Sequence, residues 1–267
     1  MADTEGSIFE KSVNPYGMIK RVVAVMSGKG GVGKSSVTAL LAAELRRRGL
    51  AVGILDADVT GPSIPKLFGL KGRAGHNGVA MEPLQSAGGV KVISINLLLE
   101  QEDQPVIWRG PLVAGVVKQF FAEVDWGDLD YLLVDLPPGT GDVPLTTMQS
   151  LPLDGMIVVS SPQELVELIV KKAVHMAEQM RTPILGMVEN YSYLECPDCH
   201  RRIDLFGPSR AEAVAADFGL ALLGRLPLVP EVATLADAGR IEAVAEQVPE
   251  FFAPIAAQFL AKLPAKA

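Results

Sequence analysis

The 267-residue sequence predicts an α/β fold, a mostly parallel, twisted sheet with helices on both faces. Three observations lead there. Strand-sized apolar runs alternate with longer amphipathic stretches, glycines crowd the first run-to-helix junction, and two of the apolar runs end in aspartate. Strand and helix alternating at this spacing imply crossover connections, hence a parallel sheet covered on both sides. Strands are expected at 21–27, 50–55, 90–95, 131–135, 155–160, 184–190 and 221–226. Helices are expected at 34–48, 111–123, 163–180, 208–218 and 249–262, with a short one near 231–238. Ligands of such sheets lie beyond the carboxyl ends of the strands. That edge would collect residues 27–35, 56–58, 135–142 and 190 onward.

The first strand, 21–26 (RVVAVM), is a β-branched run, and 37–48 reads as a helix. Between them, Gly28, Lys29, Gly30, Gly31, Val32, Gly33, Lys34, Ser35 and Ser36 fit the phosphate-loop pattern G-x-x-x-x-G-K-[ST]. Glycines let the backbone curl so that successive N–H groups point at phosphate oxygens, and the helix N-terminus adds its positive dipole end. Lys34 would reach the β- and γ-phosphates, and the Ser35 hydroxyl would ligate Mg²⁺. A nucleoside triphosphate is therefore the expected ligand.

The second strand (LAVGIL, 50–55) delivers Asp56 and Asp58, and the run YLLV (131–134) delivers Asp135. A carboxylate on a rigid strand end can hold the Mg²⁺ hydration shell. Asp135 takes that role, Asp56 supports the metal shell, and Asp58 is placed to orient the attacking water. The competing reading for each is a strand-end aspartate that merely caps the following turn, and it stays open for Asp142 as well. Pro137 and Pro138 followed by Gly139 and Gly141 read as a stiff segment with hinges, suited to sensing a γ-phosphate. This segment is expected to lie between the phosphate and the loop that begins at residue 191.

Composition sets limits on partners. The chain is 49% hydrophobic and 21% charged, with a net charge of −7 and a pI near 5.1, which argues against a nucleic-acid surface. The longest apolar runs are strand-sized, so a membrane span is not expected. The polar start (MADTEGSIFEKSVNPYG) is not a secretory signal, and a cytoplasmic, reducing location follows. Residues 1–19 are expected to form a flexible arm, and 20–267 a single domain with a cysteine loop at 191–206.

Cys196 and Cys199 are the only cysteines, in the run Cys-Pro-Asp-Cys-His200. A redox dithiol, a haem attachment site and an unremarkable loop pair all compete with metal ligation. Zinc or an iron–sulfur cluster usually takes four ligands, and one chain offers two thiols. Two copies about a two-fold axis would supply four.

Two resemblances sharpen these readings. The form G-K-G-G-V-G-K-[ST] resembles the deviant Walker A loop of the nitrogenase iron protein, MinD and ParA superfamily, and implies a P-loop NTPase of that type. In that superfamily the early lysine, here Lys29, crosses a dimer interface to the partner's nucleotide, which makes Lys29 a catalytic candidate beside Lys34 and Asp58. Over nearly its whole length the chain resembles the Mrp/ApbC family of iron–sulfur cluster carrier ATPases. The matching strings are GKGGVGKSS, DADVTGPSIPKLFG (56–69), IWRGP (107–111), DLPPGTGD (135–142) and VENYSYLECPDC (188–199). The likeness implies an ATP-hydrolysing homodimer holding a labile 4Fe–4S cluster between the Cys196/Cys199 pairs. It would receive the cluster from a donor or scaffold and pass it to apo iron–sulfur proteins. It also implies that Asn190 approaches the adenine ring. Trp108-Arg109-Gly110-Pro111 matches a family string without an evident role. Only about twenty residues, none of them cysteine, precede the first strand, so neither an N-terminal cluster nor a fused module is expected.

Three rivals remain. A MinD- or ParA-like positioning ATPase works by reversible attachment to membrane or DNA, and its membrane form would need a basic amphipathic last helix. The tail places Phe251, Ile255 and Phe259 on one face, but has few cations, and Pro254 is expected to interrupt it. An electron-transfer ATPase like the nitrogenase iron protein draws its cluster cysteines from separated positions. A zinc-bridged ATPase dimer would use the same four thiolates.

Overall fold

The four central strands are buried along their whole length because helices cover both faces of the sheet. The computed structural model describes residues 13–58, 61, 63–97, 110–162 and 166–266. In chain order the elements begin with β1 (Val22–Ser27), α1 (Lys34–Arg47), β2 (Val52–Asp56) and α2 (Ile64–Leu67). Then come β3 (Gly75–His76), β4 (Met81–Glu82), β5 (Leu84–Gln85), β6 (Lys91–Ser94), α3 (Gly110–Glu123), β7 (Tyr131–Asp135) and α4 (Asp142–Gln149). The chain continues with β8 (Gly155–Ser160), α5 (Val166–Met180), β9 (Ile184–Glu189), β10 (Leu194–Glu195), β11 (Arg202–Ile203) and α6 (Ala211–Asp217). It ends with β12 (Leu222–Arg225), α7 (Pro230–Asp237), α8 (Val244–Gln247) and α9 (Ala253–Lys262).

Among the described residues the main sheet runs β12-β9-β8-β1-β7-β2-β6-β5, parallel except for the short β5 at one edge. From β1 the chain moves outward to β2 and β6 on one side, returns through β7 between β1 and β2, and then moves outward through β8, β9 and β12 on the other. Loops at the carboxyl end of β1 therefore diverge to leave a crevice. The period-two alternation of a strand splits β1 between two cores. Val23 and Val25 pack under α1 and α9, whereas Val22, Ala24 and Met26 pack under α3 and α5.

The expected strands are all present, with ends shifted by a residue or two. Three differences matter. Pro254 does not interrupt α9 but opens it, since proline's missing N–H costs nothing in the first helical turn. α4 is an addition to the expected helices, because DVPLTTMQ carries a proline and two threonines and too few apolar residues to reveal a period. The segment after β7 stops short of the 191–206 loop, since β8 stands between β1 and β9. It is pinned instead to the end of β1, Leu136 N–H donating to Val25 O at 3.0 Å and Gly139 N–H to Ser27 O at 2.8 Å.

Residues 13–19 of the expected arm are seated. Asn14 Nδ2 donates to Phe121 O and Val124 O, each at 2.8 Å, and Ile19 bridges Leu129. Residues 1–12 lie outside the described residues, as do Trp108 and Arg109, while Gly110 opens α3. Among the described residues no helix is long and apolar enough to cross a membrane. α9 is instead a core helix: Ile255 and Phe259 are buried, and the Phe259 ring lies 5.4 Å from that of Tyr131.

Candidate functional site

β1 ends at Ser27 and the chain curls through Gly28–Gly33 into α1. Gly31 and Gly33 hold φ angles of 79° and 78°, left-handed backbone that glycine adopts without a Cβ penalty. Gly33 is required a second time, because a Cβ there would lie 2.1 Å from Asn190 Nδ2. The curl leaves the loop facing the first turn of α1, whose free N–H groups and positive end favour a phosphate. Lys29 is half-buried and makes no ion pair among the described residues.

Lys34 starts α1 and is buried against the sheet. Its Nζ lies 2.7 Å from Asp135 Oδ2 and 3.9 Å from Asp58 Oδ2. Asp135, the last residue of β7, is fully enclosed and accepts from Ser35 Oγ at 2.5 Å and Thr38 Oγ1 at 2.8 Å. Parallel pairing of β2 with β7 sets Asp56 beside Asp135. Asp56 accepts from Asp58 N–H at 3.1 Å and Ser94 Oγ at 3.1 Å. Burial, and then the nearby Asp135 carboxylate, push the Asp56 carboxyl up to about 8, with Lys34 pulling the other way. The expected set of Lys34, Ser35, Asp56, Asp58 and Asp135 is therefore brought together. The Asp135 and Asp58 carboxylates and the Ser35 hydroxyl surround a single ammonium, with the raised Asp56 carboxyl beside them, and oxygen donors of this kind suit Mg²⁺.

Asn190 follows β9 and is buried, with Nδ2 donating to Val32 O at 3.0 Å. Beside it opens a cavity of about 90 Å³ lined by Ser36, Leu40, Asn190, Pro227, Leu228 and Val232 among others. An apolar slot of this kind next to a phosphate loop can take the flat face of a nucleobase. Asn190 and Ser36 are thus brought to one place, beside walls from 227–232 that sequence reasoning missed.

The cysteine run closes the β10–β11 hairpin, in which Leu194 pairs with Ile203 and Glu195 with Arg202. Cys196 N–H donates to Arg201 O at 3.0 Å, and His200 N–H to Cys196 O at 2.9 Å, with His200 at φ 56° closing the turn. The backbone N–H of Cys199, then that of Asp198, donate to the Cys196 sulfur and lower its pKa, as does the Cys199 side chain. N–H groups turned toward sulfur favour the thiolate, the form that ligates metal. Cys196 is partly exposed and Cys199 exposed, and the described residues contain no cluster of three or more metal-ligating side chains. The pair offers half of what a four-thiolate site needs.

Sequence reasoning missed two further residues. Thr38 sits one helical turn after Lys34, a spacing that brings its hydroxyl to the same side of α1, but its target Asp135 is set by strand order. Ser94 ends β6 beside Asp56, a pairing visible only in register. Asp142 opens α4.

Comparison with known proteins shows the family. A family model described as ParA, NUBPL iron-transfer P-loop NTPase, matches residues 18–260. A Clostridium perfringens protein named iron-sulfur cluster carrier protein is 47% identical over 236 residues, covering 85% of this chain and 82% of that one. A protein of the same name from Methanocaldococcus jannaschii is 47% identical over 223 residues, 83% and 77% of the two chains. Among solved structures, a nucleotide-binding protein from Archaeoglobus fulgidus in complex with ADP is 48% identical. It has a TM-score of 0.76 and covers 84% of this chain and 88% of its own. The Aquifex aeolicus MinC:MinD cell division complex contains a chain 18% identical with a TM-score of 0.66, covering 92% and 99%, and shares the fold.

Proposed function

The chain belongs to the NUBPL iron-transfer P-loop NTPases of the ParA group, and from that premise we propose that it is an ATP-hydrolysing carrier of iron–sulfur clusters. The observation that carries this reading is one sheet edge bearing both a complete phosphate loop and an open two-thiol knuckle. The loop that holds Cys196 and Cys199 begins directly after Asn190, whose side chain touches the phosphate loop.

In this reading Lys34 leaves Asp135 for the β- and γ-phosphates of ATP. Ser35, Asp135 and Asp56 hold Mg²⁺, which when bound offsets phosphate charge. Asp58 orients the attacking water. Lys29, free of ion pairs among the described residues, reaches the nucleotide of a second copy. Asn190 turns from Val32 O to the adenine, which enters the slot walled by Leu228. Two copies supply four thiolates from Cys196 and Cys199, and these hold a 4Fe–4S cluster as cargo rather than as a resident group. Apo iron–sulfur proteins are the recipients, a donor or scaffold the source, and the cytoplasm the setting.

A membrane-positioning ATPase is disfavoured by α9, whose apolar face is already spent on the core. Anaerobic reconstitution with iron and sulfide tests the proposal. A visible iron–sulfur absorption band with four irons and four sulfides per two chains is expected. Recovery of zinc alone, with no cluster formed, would replace carriage by a zinc-bridged dimer.

A further inference from the structure

Glu189 ends the otherwise apolar β9, is fully buried, and takes no part in the nucleotide chemistry above. Both of its oxygens are engaged. Oε1 accepts from Ser209 Oγ at 2.9 Å, and Oε2 accepts from Ser192 Oγ and, at 3.1 Å, from Arg225 Nε. Arg225 Nε also lies 2.8 Å from Ser192 Oγ. Ser209 Oγ in turn accepts from Ala211 N–H at 3.1 Å, at the start of α6. Ser192 and Ser209 stand at the two feet of the excursion that carries Cys196 and Cys199. One buried carboxylate therefore fastens both feet to the end of β9.

The neighbouring Asn190 reaches the phosphate loop instead. Backbone bonds extend the same connection. Leu226 N–H donates to Glu189 O at 2.8 Å, Ser192 N–H to Leu226 O at 2.8 Å, and Leu228 N–H to Tyr193 O at 2.7 Å. The wall of the apolar slot is thus laced to the entry foot of the cysteine loop. Tyr193 carries the Arg202 guanidinium 4.1 Å over its ring, which ties that foot to β11. Arg225 Nη2 is buried with no partner among the described residues.

We propose that Glu189 is a positioning residue that relays nucleotide occupancy to the two thiols. When Asn190 exchanges Val32 O for a nucleotide, the end of β9 shifts. Ser192 and Ser209 carry that shift to the hairpin and change how Cys196 and Cys199 are presented. The inference rests on the carrier reading for what the thiols hold, and adds to it the route by which nucleotide controls them. Nucleotide can drive such a change only by binding the two arrangements with different affinity.

The test is the alkylation rate of Cys196 and Cys199 by iodoacetamide in the metal-free full chain, with and without Mg·ATP. In the unmodified protein nucleotide is expected to change the rate about fivefold or more, the lower end of ordinary site-to-site coupling. In Glu189→Gln the ratio should collapse to near one, while ATP affinity, titrated separately, stays as before. A Glu189 that only stabilised the fold would change both rates alike and leave the ratio. Ser209→Ala removes one fastening and keeps the Glu189–Arg225 pair, so it carries the test if Glu189→Gln does not fold, and its ratio should fall part of the way. A nucleotide-independent rate in the unmodified protein would overturn the proposal. So would a full ratio in folded Glu189→Gln, or, where that variant does not fold, in Ser209→Ala. Because no cluster is present in this assay, its failure leaves the reconstitution result standing, and the converse holds too.

Discussion

At the phosphate loop, Lys34 and Asp135 are 5% and 0% exposed and meet the sheet directly, whereas the thiols sit on a hairpin of two paired residues per strand with Cys199 exposed. The contrast follows from chemistry. Charges in a buried site are tolerable only when each has its partners at hand, so Lys34, Ser35, Thr38 and Asp135 complete one another within one chain. Thiolates meant for a cluster must be left short of partners, because the remaining ligands come from outside the chain. One end is therefore closed by its own fold and the other, in the reading proposed above, is left open for a second copy.

If that contrast is right, the two ends can be disabled separately. Replacing both Cys196 and Cys199 by alanine should abolish cluster binding altogether while ATP affinity is retained. The same variant should dimerise less readily without nucleotide, as measured by light scattering with and without metal and ATP. An unchanged monomer–dimer balance in every condition would remove the inter-subunit site. Next in size, Lys34→Ala should lower ATP hydrolysis by about 10²–10³-fold, the usual loss when one preorganised donor is taken from a developing charge. Phosphate release measured beside cysteine-bound iron would show whether iron loading survives, and equal losses of both would mean that the ends are not separable. Asp58→Asn should slow hydrolysis by about a hundredfold, within the range for a positioned acid–base group, with nucleotide affinity kept. Normal turnover would remove Asp58 from its role in orienting water.

The smallest effect concerns the scaffold beneath the phosphate loop. The Tyr131 hydroxyl donates to Leu263 O at 2.6 Å, and burial pushes its phenol up to about 12 from 10.0. Its folded-state value is above its unfolded one, so the proton is retained longer in the folded chain. That contribution is intact below about pH 10 and is lost as pH rises from there toward 12. Tyr131→Phe should cost about 1 kcal/mol, or roughly 2–4 °C in Tm, and should remove this alkaline loss. Melting curves at pH 8 and pH 11 decide it, and an identical alkaline drop in both proteins would place its origin elsewhere.

Motifs whose chemistry is local are legible in the amino-acid sequence itself. The spacing of Gly28, Gly33, Lys34 and Ser35 and the strand-end position of Asp135 require only a strand, a turn and a helix. Cys196 and Cys199 are legible as a pair, while the N–H groups aimed at the Cys196 sulfur depend on the turn that His200 closes. Thr38, Ser94 and Glu189 are not legible, since each acquires its role from a strand that is distant in sequence. The short helix α4 escapes because it has no clear apolar period. Pro254 misleads, because proline reads as a breaker in the sequence but as a starter once the helix boundary is known.

The docking of α9 has a consequence for how the protein is made. Ile255, Phe259 and Leu263 share one core with Val37 and Leu41 of α1, and Arg48 Nη2 donates to Ala253 O at 2.8 Å. The helix that follows the phosphate loop is thus translated well before the floor it rests on. A nascent chain can contain Lys34, Asp135, Cys196 and Cys199 and still have no firm seat for α1. A firm seat for α1, and with it a firm phosphate cradle, is therefore expected only once the chain has been translated through Leu263.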